Sequence, residues 1–128
     1  MQFDEYQQKA NRTAIYMTEI RAMAGGYGDG LGNPQTEMLL RLSYVALGLA
    51  GEAGEFANKI KKLIRDSQGH LTDKRAQELS EELGGVLWYA SQSAKELGRT
   101  LDSIARENLD ILADRKKRGV IHGAGDVR

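Results

Sequence analysis

An all-α fold is predicted, and three observations predict it. Apolar residues recur at helical intervals over long stretches, β-branched residues are few and scattered, and only one proline interrupts 128 residues. The length suits one domain spanning 1–128 and is short for two. Residues 4–24 read as a first helix, with Tyr6, Ala10, Ala14, Met17, Ile20 and Met23 along one stripe and Arg12 and Thr13 beside it, either exposed or bordering a cleft. The segment GGYGDGLGNP then holds five glycines and reads as a mobile loop; it lacks the Gly-Lys-Ser/Thr ending of a phosphate-binding P-loop. It closes on Asn33 and Pro34, a side-chain cap followed by a residue suited to the first helical position.

The second helix is expected over 35–65, with Leu39, Leu42, Ala46, Leu49, Ala53, Phe56, Ile60 and Leu63 as its packed seam. Gly69 is a candidate terminator, and Thr72 or Asp73 a candidate cap for a third helix over 74–97 carrying Leu79, Leu83, Val86, Ala90, Ala94 and Leu97 toward the second. Gly98 ends that helix. Thr100 opens a fourth over 100–117, with Leu101, Ala105, Leu109 and Leu112 inward and Asn108 and Arg115 on a neighbouring stripe. Arg115, Lys116, Lys117 and Arg118 complement the dipole at its end or clamp phosphate, and a glycine-rich tail occupies 118–128. A four-helix bundle-like domain is the expected architecture, and four amphipathic helices around one small core favour self-association.

Basic and acidic residues number 18 each, so no global field draws the chain to a nucleic-acid polymer or a membrane surface, and any phosphate binding must be local. The absence of cysteine removes thiol nucleophiles and thiolate metal sites and is compatible with a reducing compartment. No apolar run approaches the ~18 residues of a membrane span, and the first residues lack a signal-peptide core. A cytoplasmic protein is the expectation. His70 and His122 stand far apart in loop-like contexts and read as surface residues.

The residues that suggest chemistry lie beside the long seam. Glu52 and Glu55 stand one turn apart, with Lys59 and Lys62 following on the same stripe. Such carboxylates can aim oxygens at one point with positive charge close by, which suits a metal ion carrying phosphates; a solvated face with Glu–Lys support is the alternative. Gly48, Gly51 and Gly54 each cost a helix interior about 1 kcal/mol relative to alanine, and their bare backbone admits a ring, another backbone or a ligand next to the glutamates. On the third helix Glu78, Glu81 and Glu82 cluster ahead of Gly85, Trp88 and Tyr89, and either a cation or solvent can relieve their repulsion. Trp88 or the loop residue Tyr27 could stack on a base.

Taken together, Glu52xxGlu55, 26 intervening residues and Glu82xxGly85 resemble the ExxE and ExxD pattern of the MazG-like, all-α nucleoside triphosphate pyrophosphohydrolases. The flanking GLAGEAGEFANKIKK and EELGGVLWYASQSAKELG carry the likeness, which extends to YQQKANRTAIY and RKKRGVIHGAGD. The resemblance implies a bundle assembled as a homodimer or tetramer, with magnesium, or manganese in its place, held against a nucleoside triphosphate. It implies water attack between the α- and β-phosphates, giving a nucleoside monophosphate and pyrophosphate. Glu52, Glu55 and Glu82 carry over as metal ligands and catalytic residues; Lys59, Lys62 and Arg115 follow as phosphate contacts, and Asn108 or Trp88 as nucleoside contacts. Two departures stand out: Gly85 replaces the aspartate, and Ile111 stands where a lysine is common. The first leaves space for a water, or for Glu78 or Glu81 to swing in, and makes a weakened or silent nucleotide-binding homologue the alternative function.

Overall fold

The computed structural model describes residues 1–24 and 33–120, and the regular structure among them is entirely helical: α1 (Phe3–Asn11), α2 (Tyr16–Ala24), α3 (Pro34–Ser67), α4 (Asp73–Glu96) and α5 (Leu101–Lys117). The all-α expectation holds. Tyr27 in the glycine-rich segment and His122 in the tail fall outside the described residues.

Helix ends follow local chemistry. Asn33 accepts a hydrogen bond from the Gln35 amide with Pro34 in the first turn, while Thr72 and Thr100 accept from the amides of Arg75 and Ser103. At the far end of α3, Gln68 turns left-handed with φ 51° and Gly69 continues with φ 80°, so that both amides reach the Leu63 carbonyl. Gly98 takes φ 67° after α4, a conformation that glycine alone adopts without strain.

The expected first helix is instead two. Thr13 competes for the backbone: its hydroxyl donates to the Ala10 carbonyl at 2.8 Å and accepts the Trp88 indole N–H at 2.8 Å. The helix stops at Asn11 and restarts at Tyr16, and this reorientation turns Tyr16, only 3% exposed, into the core while Met23 at the end of the predicted stripe is left outside. The core is Tyr16, Ile20 and Val45, with Ala14, Met17, Leu40, Trp88 and Tyr89 packed around it. Tyr16 stacks on Tyr44 at 4.7 Å, and Trp88 meets Tyr89 edge to face at 4.8 Å. Beneath this cluster Tyr16 donates to Glu96 Oε1 at 2.6 Å, and the other Glu96 oxygen lies 3.1 Å from Arg41 Nε. Burial, reinforced by Glu96, pushes the Tyr16 hydroxyl well above its ordinary value.

Helix α3, 34 residues and about 51 Å long at the standard rise, lies chiefly along α4, with α2 against α3, and with α1 and α5 against each other and α4. The predicted seam holds at Leu42, Leu49, Phe56, Ile60 and Leu63, which are partly buried, and fails at Leu39, Ala46 and Ala53, which are exposed; Val45 is buried instead, and Gly48, Glu52 and Lys59 face α4. A second correction concerns α5: Leu101 is buried, but Leu109 is 65% and Leu112 40% exposed, because the helix touches only α1 and α4. No helix among the described residues is long and apolar enough to cross a membrane.

Candidate active site

The site is built where α3 and α4 face each other. On α3, Tyr44, Gly48 and Glu52 follow at four-residue spacing; on α4, Gly85 and Tyr89 do the same. A Cβ at Gly48 would overlap the ring of Tyr89, and a Cβ at Gly85 would overlap the carboxylate of Glu52. Each glycine thus receives a side chain from the opposite helix. The space at Gly85, expected to suit a water or a second α4 glutamate, is taken by Glu52.

Lying across Gly85, Glu52 meets Glu82. Burial first, then the charges of Glu82 and Glu55 and a hydrogen bond shared with Glu82, push the Glu52 carboxyl above its ordinary value. The Glu82 carboxyl is held low, mainly by a hydrogen bond from Lys59. The two facing carboxyls are thus pushed in opposite directions, Glu52 up and Glu82 down. Lys59 Nζ lies 2.6 Å from Glu82 Oε1 and donates also to the Glu78 carbonyl at 3.1 Å. Two members of the predicted α3 stripe, Glu52 and Lys59, are thus brought together with Glu82 of α4.

Glu55 stays exposed one turn along α3, close enough to act on Glu52 through its charge but outside the contact. Lys62 is exposed in the wall of an adjoining cleft of about 230 Å³ between the end of α3 and the start of α4, which Lys59, Asp66, Arg75 and Glu78 also line. Arg65 grips Asp66 through two hydrogen bonds of 2.5 and 2.7 Å and holds its carboxyl low. Trp88 is placed in the packing, edge-on to Tyr16 and Tyr89 with its N–H satisfied by Thr13. Asn108 and Arg115 lie on α5, which does not touch α3, so a single chain does not bring them to Glu52.

Two aromatic residues at this site escape a reading by motif. Tyr44 is 42% exposed above the buried Tyr16, and Tyr89 hydrogen-bonds with it and feels the charge of Glu52. Their signal is the glycine one turn away in each case, Gly48 after Tyr44 and Gly85 before Tyr89.

The family model described as the MazG nucleotide pyrophosphohydrolase domain matches residues 42–120. The chain belongs to the MazG family. This MazG chain is also 44% identical over 128 residues, the whole length of both proteins, to the Gene 37 protein of Mycobacterium phage L5. No solved structure matches it. The MazG match begins within α3 and contains Glu52, Glu55, Glu82 and Gly85, leaving α1 and α2 outside.

MazG proteins generally depend on a divalent metal, and the donor set here can be judged against that need. Among the described residues no three His, Asp or Glu side chains stand together as a ready ligand set. Glu52 and Glu82 nevertheless offer hard oxygens from two helices, and their mutual charge, met at present by Lys59 against Glu82, is what a cation would relieve. Magnesium commonly takes only one or two carboxylates and draws its remaining oxygens from water and phosphate, so the residues present fit such an ion.

Proposed function

We propose that this MazG protein is a magnesium-dependent nucleoside triphosphate pyrophosphohydrolase, cleaving NTP or dNTP to a nucleoside monophosphate and pyrophosphate in the control of the cytoplasmic nucleotide pool. The observation that carries this reading is the meeting of Glu52 with Glu82 across Gly85, beside a cleft walled by Lys59, Lys62 and Arg75. Glu52 and Glu82, joined by Glu55 once its side chain turns inward, would hold magnesium or manganese, which supplies positive charge to the triphosphate and acidifies water. Lys59, Lys62 and Arg75 offer fixed charge to the phosphates, and the partly exposed Tyr44 offers a face for the base. Water attacks the α- or β-phosphorus, the bond from that atom to the oxygen bridging the two breaks, and nucleoside monophosphate and pyrophosphate separate, the bridging oxygen staying with the product that was not attacked.

A homodimer or tetramer belongs to this reading. The outward leucines of α5 and the open faces of Gly51 and Gly54 on α3 are surfaces that a second copy would cover, and α5 could then carry Asn108 and Arg115 toward the other copy's site. The test is a panel of ribo- and deoxyribonucleoside triphosphates with and without magnesium, read as pyrophosphate release. Release that requires magnesium and falls at least about 100-fold in Glu52→Gln is the expected result. Release that is insensitive to Glu52→Gln would remove the site from the mechanism.

Gly85 also favours a second reading, a nucleotide-binding or regulatory protein with little or no turnover, because the carboxylate of the family pattern is missing and Glu52 is folded into its place. That reading predicts saturable nucleotide binding by calorimetry with no pyrophosphate formed at high protein concentration.

A further inference from the structure

We propose that Lys59 is a built-in place-holder for the metal: its ammonium occupies the Glu82 oxygen that a divalent cation would take, and metal entry turns it into the neighbouring cleft. The proposal rests on the metal-site reading of Glu52 and Glu82 and goes beyond it by giving one lysine two successive positions.

The geometry carries the argument. Lys59 reaches from α3 to α4, where Nζ lies 2.6 Å from Glu82 Oε1 and 3.1 Å from the Glu78 carbonyl oxygen. Two of its three N–H donors are therefore spent on one patch of α4. The Glu82 side chain is only 14% exposed, so its oxygens have little solvent room for a second cation while the ammonium stays. A magnesium ion binds carboxylate oxygen at about 2.0–2.1 Å, and two cations sharing one oxygen at such distances repel strongly. The ammonium has somewhere to go, because Lys59 also lines the cleft shared with Lys62 and Arg75. Its four-carbon stem can swing from one place to the other by rotamer changes, with no movement of α3. The swing adds a third cation to the cleft just as the metal leaves the carboxylates neutralised, so the cleft becomes most attractive to a polyphosphate only when metal is present. An ordinary interhelical salt bridge would give no such order of events.

The test is a titration of the full-length chain with Mn²⁺ in the absence of nucleotide, read by the paramagnetic resonance signal of the free ion. Since a neighbouring charge shifts an ionic equilibrium by one to three powers of ten, Lys59→Met is expected to bind Mn²⁺ at least about tenfold more tightly than the parent. Lys61→Met, which removes the same charge from an exposed position two residues on, is expected to stay near the parent. In the unmutated protein, saturating Mg²⁺ should move the side-chain carbon resonance of Lys59, assigned from its loss in Lys59→Arg; this readout stands even if Lys59→Met fails to fold. Equal or weaker Mn²⁺ binding by a folded Lys59→Met, an equal gain in Lys61→Met, or a Lys59 resonance indifferent to Mg²⁺ would overturn the proposal. Tighter binding by Lys59→Met in a protein that releases no pyrophosphate would leave it standing and remove only the hydrolase reading, whereas no Mn²⁺ binding by any variant would remove the metal site and the place-holder together.

Discussion

At Gly48 and Gly51, three residues apart on one helix, identical chemistry meets opposite surroundings. The ring of Tyr89 rests on the backbone of Gly48, and it is fixed there by Trp88 on one side and Tyr44 on the other. Nothing lies within 4 Å of where a Cβ on Gly51 would stand. Helix propensity alone would reward alanine at either position by about 1 kcal/mol. Overpacking against a fixed ring costs roughly 1–3 kcal/mol, so Gly48→Ala is expected to lower the denaturation midpoint and Gly51→Ala to leave it unchanged or raise it in the monomer. Urea unfolding of both variants below the concentration of self-association checks this. The glycine spacing in the sequence signals a close approach somewhere along the helix. It does not say which glycine receives the ring, because that depends on the rotation of α3 against α4.

Among the elements, helix ends were the most legible part of the fold. Asn33, Thr72 and Thr100 cap from within three residues, so their chemistry is complete in the local sequence. The break between α1 and α2 is different in kind. Thr13 stops the helix together with Trp88, 75 residues away, and a pattern read along 4–24 passes straight through it. The same long reach hides Tyr16, whose partners Glu96 and Arg41 come from α4 and α3. That link holds three helices at one point, with the Glu96 side chain only 3% exposed. Glu96→Ala leaves the Arg41 charge and the Tyr16 hydroxyl without it and is expected to cost about 3 kcal/mol. Tyr16→Phe removes one hydroxyl while keeping the ring and is expected to cost about 1 kcal/mol. Chemical denaturation of the two variants side by side measures the difference, and equal losses would show that the carboxylate matters only to the tyrosine.

For the whole molecule, the described residues leave open apolar surface that the proposed self-association would cover. Leu39, Leu47 and Ile64 on α3 and Leu109 and Leu112 on α5 all face outward. If the proposed oligomer forms through α5, replacing Leu109 and Leu112 together by serine is expected to leave the melting temperature of the monomer nearly unchanged while shifting the mass measured by light scattering from oligomer to monomer. An unaltered oligomer would place the contact elsewhere. The candidate site was legible at this scale to the extent that the resemblance to the MazG-like pattern paired Glu52 with Glu82. Glu55 and the α5 residues were not separable from them, since a helix repeat brings residues to one face without saying how far the neighbouring helix extends or whether it belongs to the same chain.

Trp88 is the sole tryptophan of the chain, hydrogen-bonded to the joint between α1 and α2 and one turn from Gly85. Its ultraviolet emission therefore comes from a single setting that borders both the folding joint and the carboxylate pair. An unlabelled sample carries its own optical gauge: a shift in colour tracks the undoing of the Thr13 bend, and a change in brightness on adding cation or nucleotide tracks rearrangement at Glu52, in the same cuvette and without a dye.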